Sequence, residues 1–287
     1  MRTRWCITRR SRLLNRRWFP RTKNTDTKRI VSGGVISPLT MANRSILMNR
    51  KLFIISGALA WLTLTLTAAD APKEHIFTDQ PLGVQVSIKM VGPYMQAADL
   101  QIICLFKHKD SGDVYEGAAA ETDKHLSGLL SALRNRGEFV GELGETLLFA
   151  PPKGSIPAKR FMLIGLGDEA ALSVDSLKVV GRVAAREAVR LQAAHVAWAP
   201  VIRDQGNSVI PVGEGDRVFV SEWLSAYDTE LKLQAQKLAP KFAVKRLVIE
   251  AGPAFFDDAV KQVGAGLLTV SGDLVKRDKT PYLNAGK

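Results

Sequence analysis

The sequence predicts a three-layer α/β domain, and three observations carry that expectation. Ala158 to Val201 runs strand, glycine turn, long amphipathic helix, strand, a βαβ order whose crossover is right-handed in nearly all sheets. Strand and helix patterns continue to alternate on both sides of it, through about 200 residues, as in sheets covered by helices on both faces. The 287 residues are 46% hydrophobic, ample for a packed core.

Each element has its own signal. Asp70 to Pro81 is a polar leader. Val84-Gln85-Val86-Ser87-Ile88 alternates apolar and polar, the pattern of a half-buried strand. Ala98 to Lys107 is richer in apolar residues, so it belongs nearer the middle of the sheet. Asp110-Ser111-Gly112-Asp113 is a turn cluster. Ala118 to Leu133 keeps helical spacing through His125, Leu126, Leu129, Leu130 and Leu133 and is stopped by Gly137. Glu145 to Phe149 is a short strand closed by Pro151-Pro152. Phe161-Met162-Leu163-Ile164 is continuously apolar, as a strand covered on both faces should be. Gly165 and Gly167 end it, Ser173 caps the following helix, and Asp175 meets its dipole.

That helix buries Leu177, Val180, Ala184, Ala188 and Leu191 as one stripe. Gly181 in its middle costs about 1 kcal/mol relative to Ala and points to close packing. His195 to Ala199 resumes extended structure. Asp204 to Asp216, holding Gly206, Pro211, Gly213 and Gly215, is a loop. Val218 to Tyr227 is a short helix, Val244 to Ile249 a strand, and Pro253 to about Leu274 a closing helix.

The formal charge of +12 suggests a nucleic-acid partner until it is located. Residues 1–47 hold 12 of the 40 Lys/Arg and one acid, Asp26, leaving 28 basic and 27 acidic side chains in the rest. The folded part is electrically balanced, which excludes nucleic acid as an expected partner. Residues 1–47 form a basic leader that is expected not to be part of the native protein. Residues 48–69 have the layout of a signal peptide: Met48-Asn49-Arg50-Lys51, an apolar run from Leu52 to Leu66, and small residues at Thr67-Ala68-Ala69. The expected start is Met48, cleavage falls near Ala69, and the location is secreted or periplasmic. The apolar run is shorter than the ~20 residues of a spanning helix, so membrane contact is expected only through an uncleaved signal segment. Residues 70–287 are the domain proper.

Candidate sites are few. Cys6 lies in the leader and Cys104 in an apolar run, where a thiol is a small hydrophobe. His75, His108, His125 and His195 make no metal-binding spacing; Glu121 and His125 share a helix face but are too few for zinc. Gly165 and Gly167 could bring backbone N–H groups to a phosphate, although the further glycine of a dinucleotide fingerprint is Ala170. Lys178, Arg182, Arg186 and Arg190 recur every four residues as a cationic ridge, either a solvated face or a partner surface. Trp198 and Trp223 are expected in the core, and Asp168, Glu169 and Asp175 as loop and cap residues. No nucleophile elbow, Cys–His pair or paired carboxylates stand out. The expectation is no catalytic residue, no metal site and no cofactor.

One succession of segments resembles a known family. Asp99-Leu100-Gln101 opens a strand and Leu126-Ser127-Gly128 lies in a helix. Then come Arg136-Gly137-Glu138-Phe139-Val140-Gly141, Gly144-Glu145-Thr146-Leu147-Leu148 and Lys159 to Gly167. Together they resemble the N-terminal domain of the leucyl (cytosol) aminopeptidase family, over about residues 84 to 285. The tail, Ser271 to Val275 then Thr280-Pro281, is similar to the family's linker helix, with Lys276-Arg277-Asp278-Lys279 where the family reads Asn-Glu-Pro-Pro-Asn.

The resemblance implies a macro-domain-like mixed sheet between helix layers. It also implies a role in hexamer assembly beside a two-metal catalytic domain. That domain's metal ligands and Asn-Thr-Asp-Ala-Glu-Gly-Arg signature have no counterpart in this sequence, so no catalytic residue carries over. The expected function is therefore non-catalytic: binding or subunit assembly, with a homo-oligomer or a separate aminopeptidase catalytic chain as partner. The alternatives are a nucleotide or ADP-ribose type of small-ligand binder, or the regulatory half of a split metallo-aminopeptidase.

Overall fold

The apolar runs become the middle of one mixed seven-stranded sheet. A computed structural model describes residues 72–283. The chain divides into two units, Met1–Thr65 and Leu66–Lys287, and every described residue belongs to the second. The basic leader, the expected signal peptide and Cys6 lie outside the described residues.

The strands are β1 (Glu74–Ile76), β2 (Gln85–Lys89), β3 (Leu100–Leu105), β4 (Thr146–Phe149), β5 (Phe161–Gly165), β6 (His195–Ala199) and β7 (Arg246–Glu250). Their order across the sheet is β1-β2-β7-β6-β3-β5-β4. The five inner strands are parallel, with Ile88 beside Ile249, Trp198 beside Ile249, and Ile102 beside both Trp198 and Met162. The outermost strands, β1 and β4, pair antiparallel and close the edges. Parallel strands must be covered on both faces, which is why the inner strands are buried along their length except at Gln85, Lys89, His195 and Arg246 at their ends.

Helices α3 (Val174–Arg190), α4 (Val212–Ala235) and α5 (Phe256–Lys276) cover one face. They pack on Val86, Ile88, Ile102, Cys104, Met162, Ile164, Trp198 and Ile249. Helices α1 (Gly117–His125) and α2 (Leu129–Asn135) cover the other face over Ile103, Leu105, Phe161 and Leu163. Beyond them that face has no α-helix among the described residues. The segment 90–99, joining β2 to β3, crosses it instead. Its Ala98 packs on Ala197 and Val248, and its Tyr94 stacks on His125 with ring centroids 4.8 Å apart. The result is the three-layer α/β/α arrangement that the sequence predicts.

Local rules hold where they were clearest. Ser173 Oγ accepts from the Ser176 N–H at 3.4 Å and the Ser176 hydroxyl accepts in return, closing a capping box at the start of α3. A Cβ on Gly181 would stand 2.8 Å from the Phe219 carbonyl oxygen, so this glycine lets α3 and α4 approach backbone to backbone.

Five expectations are corrected. The polar leader contains β1, whose backbone pairs with β2. Strand β2 is therefore an inner strand, and Ser87 is fully buried instead of facing water. The helix expected over Ala118 to Leu133 is broken at Ser127 (φ 57°) and Gly128 (φ 79°), where the Asp123 carboxylate accepts from the Leu130 N–H at 2.8 Å and restarts the chain as α2. The loop expected over Asp204 to Asp216 ends early, and the short helix expected over Val218 to Tyr227 is a 24-residue helix from Val212 to Ala235. Glycines at its start mislead because they serve packing. A Cβ on Gly213 would meet Asp258 Oδ2 at 2.5 Å, and one on Gly215 would meet Leu177 at 3.2 Å.

Candidate functional site

In parallel sheets ligands bind beyond the carboxyl ends of strands, where neighbouring connections leave to opposite faces. After β2 the chain crosses one face as the 90–99 segment; after β6 and β7 it enters α4 and α5 on the other. A cavity of about 640 Å³ opens there. Its walls are Met90 to Met95 after β2, Pro200 to Asp204 after β6, Ala251 to Pro253 after β7, and the first turns of α1 and α4. Beyond the end of β3 the same crevice is filled. The Gln205 amide donates to the carbonyls of Cys104 (2.9 Å) and Val201 (3.0 Å) and accepts from the Phe106 N–H (2.9 Å).

The cavity is apolar where Met90, Leu177, Trp198, Ile202 and Ile210 face it, and acidic where Glu121, Asp204, Asp216 and Glu250 do. Arg203 is the one basic side chain among the described lining residues, with its guanidinium 5.8 Å from the Phe255 ring centroid. Asp216 is fully buried and Glu250 is 4% exposed. Among the described residues, none of their four carboxyl oxygens has a hydrogen-bond partner. Burial, with the Asp258 charge adding to it, pushes the Asp216 carboxyl well above the usual carboxylate range. Burial lifts Glu250 to about 8, against the opposing pull of Gln101 and Lys89.

A buried polar group without a partner costs on the order of 1–3 kcal/mol, so these two residues are where a binding partner gains most. The helix N-termini at the cavity are already served. The Asp204 carboxylate accepts from the Ala119 N–H at 3.0 Å, and the Asp258 carboxylate accepts from the Gly213 N–H at 3.2 Å. Trp198 is core as expected: it stacks on Phe219 at 3.7 Å and its indole donates to Cys104 Sγ at 3.4 Å. Burial pushes that thiol up to about 12, which leaves it unreactive at neutral pH.

Gly165 and Gly167 lie elsewhere, at the end of β5. Their N–H groups donate to the carbonyls of Glu145 (2.8 Å) and Gly141 (2.9 Å). A Cβ on Gly165 would fall 1.9 Å from the Glu142 carbonyl oxygen. These glycines admit the 141–145 turn against the strand end. On the cationic ridge, Lys178 pairs with Asp175 at 2.8 Å, Arg182 with Glu222 at 2.9 Å, and Arg190 with Glu187, while Arg186 is exposed. The described residues contain no group of three or more His, Cys, Asp or Glu that could hold a metal ion.

Sequence reasoning passed over Asp216 and Glu250. A faint signal existed for one of them: Glu250 ends the apolar run Leu247-Val248-Ile249, where an acid has no business unless something faces it. It also passed over Arg134, which is 2% exposed. This arginine donates to Asp113 (2.7 Å) and to the carbonyls of Phe106 (2.5 Å), Phe139 (3.2 Å) and Val140 (2.7 Å).

Comparison with known proteins bears on what this scaffold is. The profile of the cytosol aminopeptidase family, N-terminal domain, matches residues 102–208. That stretch is similar to the N-terminal domain of the cytosol aminopeptidases. It holds most of β3 and all of α1, α2, β4, β5, α3 and β6, and so ends just past the strand and turn that form one wall of the cavity. A probable cytosol aminopeptidase of Alkaliphilus metalliredigens is 37% identical over 103 residues, 36% of this chain and 20% of the relative. One from Roseiflexus castenholzii is 25% identical over 198 residues, 68% of this chain and 36% of the relative. The chain thus spans a fifth to about a third of the length of these relatives. Among solved structures, a tomato leucine aminopeptidase mutant is 19% identical over 73% of this chain and 38% of its own, with a TM-score of 0.47. An Oceanobacillus iheyensis macrodomain mutant is 9% identical over 71% and 98%, with a TM-score of 0.49.

Proposed function

We propose that this aminopeptidase-type N-terminal domain acts by binding, and that it holds a small, largely apolar molecule in the cavity beyond β2, β6 and β7. One observation supports this above others: a cavity of about 640 Å³ lined by two buried carboxyls whose oxygens lack partners. Pockets of this volume, apolar with a few convergent polar groups, are the usual form of a small-molecule site. The described residues do not fit the metal chemistry of the family's enzymes, and no catalytic step is derived for them. The test is a thermal-shift screen of the purified mature domain, since a ligand that binds only the folded form raises its melting temperature. No shift across a chemically broad library at millimolar concentration would sink the proposal. Hydrolysis of leucyl-p-nitroanilide above background, with Mn²⁺ or Zn²⁺ added, would sink its non-catalytic part.

A second reading is subunit assembly, in an oligomer of this chain or with a separate aminopeptidase catalytic chain. Its support is the match of residues 102–208 to the N-terminal domain of the cytosol aminopeptidase family. Light scattering of the domain, alone and mixed with such a chain, tests it; a monomer in both cases removes it. We place the chain outside the cytoplasm, in the periplasm or secreted, on the strength of the 48–69 signal pattern. N-terminal sequencing of the exported protein should read from near Asp70.

A further inference from the structure

We propose that the cavity takes a small carboxylate with an apolar body, and that Arg203 anchors the carboxylate group. This rests on the reading of the cavity as a small-molecule site and names the chemical class that the site takes.

Arg203 is the unsatisfied charge of this wall. It belongs to the connection after β6, and its guanidinium lies 5.8 Å from the ring centroid of Phe255, in the connection after β7. The side chain therefore reaches from one of these connections to the other. Among the described residues its guanidinium has no ion pair and no hydrogen bond. Its Nε is buried without a partner, whereas Nη1 and Nη2 keep accessible surface. The face of an aromatic ring steadies a cation but accepts none of its in-plane N–H groups. Those donors form a planar fork, and the group that matches it is a carboxylate, which takes two of them side by side.

The acids of the lining do not cancel this charge. The Asp204 carboxylate accepts the Ala119 N–H at 3.0 Å and so answers the dipole of α1. Glu121 pairs with Lys124 at 3.2 Å. Burial favours the neutral form of both Asp216 and Glu250, so neither repels an arriving anion at neutral pH. A second negative charge on the ligand would meet no second cation among the described lining residues. Nor would it find the first turn of α4 free, since the Gly213 N–H already donates to Asp258. A single carboxylate fits this balance better than a phosphate. The remaining wall, with Met90, Leu177, Trp198 and Ile210, suits an alkyl or aryl body.

The probes are 3-phenylpropanoate and its neutral isostere 3-phenylpropanamide, titrated at neutral pH into the purified protein and followed by amide chemical shifts. The carboxylate should bind about tenfold tighter than the amide, with the largest shifts in the connections after β6 and β7. Arg203→Gln should bring the carboxylate down to the affinity of the amide. Arg203→Lys keeps the charge but loses the fork, so it should give an intermediate preference; it decides the matter if the glutamine variant fails to fold. Arg186→Gln removes an exposed arginine that does not line the cavity and should keep the full preference. Equal binding of carboxylate and amide, or a preference that survives Arg203→Gln, overturns the inference and leaves the small-molecule reading standing. Binding of neither probe overturns both.

Discussion

Two places in this domain look alike on paper. Each lies beyond the carboxyl ends of parallel strands, and each collects glycines and charged residues. At the ends of β3 and β5, the 141–145 turn presses against Gly165, and Arg134 ties Asp113 to three backbone carbonyls. At the ends of β2, β7 and β6, two buried carboxyls have no partner and about 640 Å³ stands open. The first place is saturated and the second is not. The difference teaches that glycines at a strand end mark close backbone approach, which is as often a packing device as a ligand cradle. A ligand site declares itself by what it leaves unsatisfied.

The comparison can be broken at its saturated end first. Arg134→Ala should be the most damaging single change, about 3–5 kcal/mol, because it strands the Asp113 carboxylate and buried carbonyls together. Urea denaturation of the variant measures it, and a loss under about 1 kcal/mol would mean that water replaces the guanidinium freely. Gly165→Ala should cost about 1–3 kcal/mol, since the 141–145 turn must move to admit a methyl group. Its cavity should nevertheless bind as the parent does, because this glycine is not among the cavity-lining residues.

At the unsaturated end the expected sign reverses. The Glu250 pKa is raised, so between the unfolded value near 4.5 and about 8 the folded state holds the extra proton. Stability must then fall as pH rises through that window. Glu250→Gln should flatten this slope, and the variant should gain most over the parent near pH 8. Denaturation midpoints at pH 5 and pH 8 check it; parallel slopes in parent and variant refute it.

Asp113 runs the other way. Burial pushes its carboxyl up, but the hydrogen bonds and charges of Arg134 and His108 outweigh burial and hold it below the usual range. Its contribution is complete above the unfolded pKa of about 3.9 and disappears as pH drops through the lower folded value. Asp113→Asn should therefore lose less than the parent does on acidification below pH 4. The smallest effect belongs to the ridge on α3: Arg186→Ala, at an exposed position, should stay within about 0.5 kcal/mol by calorimetry.

How much of this was legible in the sequence depends on whether the cause was local. The capping box at Ser173, the buried run Phe161 to Gly165 and the packing role of Gly181 follow from neighbouring residues and period, and they were readable. The start of α4 was not, because Gly213 and Gly215 disfavour a helix locally and are there for Asp258 and Leu177, residues distant in the chain. The break between α1 and α2 was hidden because Ser127 takes a left-handed conformation that its side chain does not advertise. Strand β1 was missed because an edge strand of three residues has too little pattern to see. The candidate site was least legible of all. Asp216 and Glu250 are separated by a long helix and a loop, and only the parallel pairing of β6 with β7 brings their segments to one crevice.

The cap on α1 has a consequence for how the molecule is made. Ala119 finds its hydrogen-bond acceptor in Asp204, 85 residues downstream. A chain emerging from the ribosome, or threading through a translocation pore, presents α1 long before the residue that finishes it. The opening third of the domain must wait, half-assembled, until the strand carrying its missing piece arrives, so any chaperone that guards this protein has its task in that interval.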